Sequence, residues 1–172
     1  DKTLLTSEWL KTEMKKIVCP EERTLDDNGK FFQDFEHFLQ VRNLSDVRTR
    51  NFRVVFRALQ RFELYKRLNG KKKFCLTFDV MTPDLLHEFE AFLRQEYTFF
   101  DKDEETGKLV PKSQYKPIYD VYPETRTPKP RGQNTINDIF TKLRTLFNWA
   151  FDLELTRNRP FRHFKVKECV YG

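Results

Sequence analysis

The chain has 172 residues, 38% hydrophobic and 34% charged, a size that suits one ordinary domain with a single core and a wet surface. Eighteen Phe, six Tyr and two Trp exclude a disordered chain, which would be poor in aromatics. A net charge of +6 and a pI of about 9.2 fit a polyanionic partner, whereas no stretch approaches the ~18 apolar residues of a membrane span.

In chain order, Trp9, Leu10, Met14, Ile17 and Val18 recur at helical spacing and predict a helix over Ser7 to Val18, stopped by Pro20. An acidic, Asn-Gly-containing linker, Glu21 to Lys30, follows. Phe31, Phe35, Phe38 and Leu39 make one face of a second helix ending at Val41. Ser45 is a good N-cap for a third helix that runs to Leu68. Phe52, Val55, Phe56, Leu59 and Phe62 form its core face, and Asn69-Gly70 ends it. Phe74, Leu76 and Phe78 alternate and suggest a short extended piece. Thr82-Pro83 opens a fourth helix, with Leu85, Leu86, Phe89, Phe92 and Leu93 inward, ending near Tyr97. Phe99 to Gly132 holds five of the eight prolines and reads as a long irregular loop. The fifth helix covers about Thr135 to Leu153, with an apolar stripe from Ile136 to Ala150. The expected fold class is therefore all-α.

The charges are segregated. Asn43 to Phe74 holds ten Lys/Arg against two Asp/Glu, and Asp79 to Glu105 holds two against nine. On the third helix Arg50, Arg53, Arg57 and Arg61 are spaced three, four and four, so they share a face, with Arg48 and Lys66 as flanks. Guanidinium groups suit phosphate because each can donate two hydrogen bonds at once. A solvated charged face would interleave acids at i+4, and only Asp46 and Glu63 stand near this stripe. A second candidate is the start of the fifth helix, Lys129-Pro130-Arg131-Gly132-Gln133-Asn134-Thr135, where unpaired N–H groups favour an anion. Gln133 and Asn134 carry amides that can pair with adenine, and Arg131 can pair with guanine. The helix's outer face then presents Asn137, Thr141, Arg144, Thr145 and Asn148. Helix capping and solvation are the competing explanation for these groups.

No complete catalytic constellation is present. His37, His87 and His163 are isolated, and Asp103, Glu104 and Glu105 lie in a polar loop, so neither a metal nor another cofactor is expected. No H-x-x-x-H, Walker loop, G-x-S-x-G or dinucleotide fingerprint occurs. Cys19, Cys75 and Cys169 are far apart and read as reduced thiols. Asp1 to Val18 is polar and charged, unlike a signal peptide, so a cytoplasmic location is expected.

Arg131 to Asn137, Leu143 to Ala150, Leu59 to Glu63, Thr82 to Leu86 and Asn158-x-Pro160-Phe161 stand in the order found in one family. Over Phe31 to Gly172 the chain resembles the tyrosine recombinases, or phage integrases, of bacterial mobile elements. The resemblance implies a SAM-like core-binding domain over 31–172: four main helices, with an N-terminal helix and a long Pro-containing loop added. Residues 1–30 would then end, or connect to, an arm-binding module. It implies double-stranded DNA and other recombinase protomers as partners, in DNA integration and recombination, with no membrane. The family's two Arg, Lys, His residues and Tyr nucleophile belong to a following domain, and Tyr171 sits at the junction rather than in that role. A helical SAM-like protein-interaction domain is the alternative.

Overall fold

Each helix begins where the sequence offers a start signal and buries the face that its periodicity marks. The computed structural model describes residues 29–124 and 126–167, so the helix expected over Ser7 to Val18 lies outside the described residues. Among those described are five α-helices: α1 Lys30–Val41, α2 Asp46–Leu68, α3 Pro83–Gln95, α4 Lys116–Val121 and α5 Gln133–Asp152. The fold is an all-α bundle of the SAM-like kind, with one small two-stranded sheet. Ser45 caps α2 by accepting a hydrogen bond from the Arg48 backbone N–H, and Thr82 caps α3 by accepting from that of Leu85. No helix among the described residues is long and apolar enough to cross a membrane.

Aromatic rings join the helices. Phe38 of α1 packs edge-on against Phe52 of α2 at 5.2 Å and Trp149 of α5 at 5.4 Å. Phe62 of α2 meets Phe89 and Phe92 of α3 at 5.2 and 5.5 Å, and Phe89 meets Phe140 of α5 at 5.6 Å. Such edge-to-face and tilted pairs add about 0.5–1.5 kcal/mol each beyond area burial. Phe78 carries the same ring lattice to Phe31 and Phe147, although its segment, 69–82, pairs with no strand.

Two expectations need correction. The 99–132 region is not one irregular loop. A 3-10 turn, Glu96–Phe99, leads into a hairpin of β1 Phe100–Lys102 and β2 Leu109–Pro111, paired antiparallel with Asp101 opposite Val110. Asp103 shapes the hairpin turn by accepting from the Glu105 backbone N–H and the Thr106 hydroxyl, and Gly107 supplies a φ of 70°. α4 follows, and its Ile118 and Tyr119 are buried under the hairpin side of the bundle. Cys75 is buried and its sulfur is not a free thiol, against the expectation of a reduced one.

Beyond α5 the chain is fastened by polar contacts. Asn158 donates through Nδ2 to the carbonyls of Phe78 and Met81 at 2.7 and 2.8 Å. The Thr156 hydroxyl donates to Asp79 at 2.6 Å. Farther on, the buried carboxylate of Glu90 accepts from the backbone N–H of Lys167 and from Arg94.

Candidate nucleic-acid interface

The arginines that the sequence spacing placed on one face of α2 divide into two kinds. Arg48 and Arg50 are exposed near the helix start, and Arg57 is half-buried two turns beyond Arg50 on that residue's side. None of the three has an ion pair among the described residues. Arg53 instead makes a two-pronged pair with Glu36 of α1, and its guanidinium lies over the Phe56 ring at 5.6 Å. Arg61 is not a surface residue at all. It is 2% exposed and donates through Nε and Nη2 to Glu96 at 2.9 and 3.2 Å, with Glu124 at 3.3 Å. The expectation that these four arginines form one phosphate-facing stripe is corrected at Arg53 and Arg61: acids compensate them, and those acids come from α1, the 3-10 turn and the segment before α5.

The same holds at the start of α5. Arg131 donates to Glu96 and to the carbonyl of Leu93, both at 2.8 Å, so its fork is held by protein rather than offered to a base. Gln133 accepts from Arg94 at 3.0 Å and donates to the carbonyl of Lys167 at 2.9 Å and to Asn137 at 3.3 Å. Its amide is thereby tied to the chain's path beyond the bundle. Lys129, Asn134, Asn137, Thr141 and Arg144 are exposed. Arg144 lies over the Phe161 ring at 5.4 Å, which steadies its stem and leaves its edge outward. Gly132 at the N-cap supplies no side-chain hydrogen bond to the first turn of α5.

The electrostatics of the interior pair follow from burial. Burial opposes ionisation of Glu96, but the charges of Arg61 and Arg131 and their hydrogen bonds outweigh it and hold this carboxyl below the usual glutamate range. Tyr119, buried beside Glu96, has its phenol pushed up by the same loss of solvent and by that negative charge.

The structure also assembles a surface that sequence spacing did not reveal. A cleft of about 570 Å³ lies between α2, the proline-rich segment and the start of α5; Arg57, Arg126, Lys129 and Lys142 stand on it, with Asp138 as an exposed acid on the rim. A second hollow holds Arg42, Arg48 and Thr145, and it shares Asn51 and Lys142 with the first. A third, with Asn137, Arg144 and Lys165, shares Thr141 with the second. The three are thus one continuous face. Arg42, Arg48, Arg57, Arg126, Lys129 and Lys142 have no ion pair among the described residues. Arg42, Asn51, Arg126 and Lys142 were missed because helical spacing relates residues within one element, and these four come from separate segments that only the fold brings together. Among the described residues, no group of His, Cys, Asp and Glu is arranged to hold a metal ion.

The described residues thus form a mostly helical bundle with one cation-rich face. The family model described as phage integrase SAM-like domain matches residues 30–166, and the chain belongs to that family. No curated protein and no solved structure matches the chain.

Proposed function

We propose that this chain binds duplex DNA through the continuous face described above, as the core-binding part of a tyrosine-type recombinase acting in DNA integration. The observation that carries the reading is the set of six uncompensated cations from four separate segments on one surface, in a chain of the integrase family. Like charges gathered this way repel one another until a polyanion neutralises them. Phosphate contacts would fall to Arg42, Arg48, Arg57, Arg126, Lys129 and Lys142, with the exposed Arg50, the open first turn of α5 and Asn134 in addition. Base contacts would fall to Asn137, Thr141 and Arg144. Arg53 and Gln133 would act by shaping the face, as would Arg61 and Arg131 while acids of the protein hold them. In this reading the partner is double-stranded DNA of a bacterial cell or mobile element, which implies the cytoplasm, and other recombinase protomers share that DNA.

The test is a salt titration of duplex binding followed by fluorescence anisotropy. Arg57→Ala and Lys142→Ala should each weaken binding to all duplexes and reduce the slope of log affinity against log salt by up to about one. Asn137→Ala and Arg144→Ala should cost about 1–3 kcal/mol on a cognate site and much less on scrambled DNA. Salt-insensitive binding, or none, would point to the protein-interaction alternative.

A further inference from the structure

The floor of the cleft carries one buried guanidinium, Arg61, one half-buried guanidinium, Arg131, and two carboxylates, and the two carboxylates are held unequally. Glu96 is 4% exposed and touches Arg61 at 2.9 Å and Arg131 at 2.8 Å. Glu124 is 17% exposed and reaches the same two groups at only 3.3 and 3.8 Å. Glu124 also belongs to the proline-rich segment, where its other oxygen accepts from the backbone N–H of Arg126. If Glu124 swings out, one carboxylate is left for two guanidiniums, and the floor of the cleft carries a net positive charge. The vacated place then favours an oxyanion. The mouth of this cleft is the part of the surface where Arg57, Arg126, Lys129 and Lys142 converge.

We propose that Glu124 is a built-in competitor of a DNA backbone phosphate: it neutralises Arg61 and Arg131 in the free protein and is displaced when a phosphate enters the cleft. This rests on the DNA-binding reading and adds a regulatory element to the same face. No bond is made or broken; one oxyanion replaces another on the same donors. The contact suppresses indiscriminate binding, because each duplex must first displace an internal anion. A duplex that fits the rest of the face makes up the difference through its other contacts.

The experiment compares Glu124→Gln with Glu104→Gln in duplex binding at one fixed salt concentration. Glu104 lies in the exposed hairpin turn, outside the cleft, so its substitution makes the same change in net charge without touching the floor. Glu124→Gln should bind mixed-sequence duplex roughly three- to tenfold more tightly than wild type. Glu104→Gln should change affinity less than about twofold. Glu124→Asp, whose carboxylate is withdrawn by one methylene, should fall between wild type and Glu124→Gln, and it serves if the glutamine variant folds poorly. Equal affinities for the two glutamine variants would overturn the proposal while leaving the DNA reading intact. So would a Glu124→Gln protein stabilised against heat by inorganic phosphate but unchanged toward DNA, since the site would then serve a free anion. A wild-type chain that binds no duplex would overturn both, and the wild-type titration separates that failure from the others.

Discussion

Arg53 and Arg61 lie about two turns apart on α2 and each pairs with a glutamate, yet truncating them should have very different consequences. The Arg61 side chain is 3% exposed and meets Glu96, 4% exposed, through two hydrogen bonds. Removing one member of a buried pair costs about 3–5 kcal/mol, because the other charge remains in a poorly solvating interior. Here Arg131 still reaches Glu96 at 2.8 Å, which offsets part of the loss, so the lower end, about 3 kcal/mol, is expected for Arg61→Ala. Arg53 and Glu36 are 35% and 38% exposed; water replaces either partner, and Arg53→Ala should cost about 0.2–1 kcal/mol. The assay is equilibrium urea unfolding of the two variants and wild type, with the slopes compared to show that the unfolded states are alike. A difference between the variants of less than about 0.5 kcal/mol would refute the reasoning, because a buried and an exposed ion pair would then be energetically alike.

The Glu96 network should also shape the acid limb of stability. Because its folded pKa lies below the ordinary 4.5, the carboxylate contributes stability that is fully present above that pH and is lost as the pH falls toward the folded value. Urea midpoints should therefore drop more steeply between about pH 5 and pH 3 in wild type than in Glu96→Gln, and parallel curves would argue against the network. Asn158→Ala should cost about 1–3 kcal/mol, since it strips the carbonyls of Phe78 and Met81 of their donor. Asn158→Asp should be at least as damaging, as it turns a donor into an acceptor facing the same two carbonyls; thermal melts of both variants check this, and an aspartate variant as stable as wild type would contradict it.

The helices were legible because their signals are local. Ser45 and Thr82 start α2 and α3 as expected, and the apolar faces from Phe31 to Leu39 and from Ile136 to Ala150 are buried as the periodicity predicts. The hairpin was not legible. Its strands are three residues each, too short for an alternation to stand out, and the prolines around them gave a stronger loop signal. α4 was hidden for the same reason: six residues opened by Lys116-Pro117 carry less than two turns of pattern. The roles of Asn158 and Glu90 were invisible because their partners are about eighty residues away in sequence.

The candidate face was legible only in part, and the reason is electrostatic. Spacing identifies which arginines share a side of α2, but whether each is available depends on acids from elsewhere in the fold. Glu36, Glu96 and Glu124 each come from a different element, and together they withdraw Arg53, Arg61 and Arg131 from the surface set. What remains uncompensated is a different selection: Arg48, Arg50 and Arg57 from the original stripe, joined by Arg42, Arg126, Lys129 and Lys142 from other segments. A cation with a buried carboxylate already opposite gains little from a phosphate, because it must give up one partner to gain another. A cation with only water opposite gains the full attraction. For the proposed binding, the distinction is therefore between compensated and uncompensated arginines rather than between arginine-rich and arginine-poor helices. Glu124 sits at the boundary, the more exposed and more loosely held of the two carboxylates in this network, and in the proposal above it is the one that changes sides.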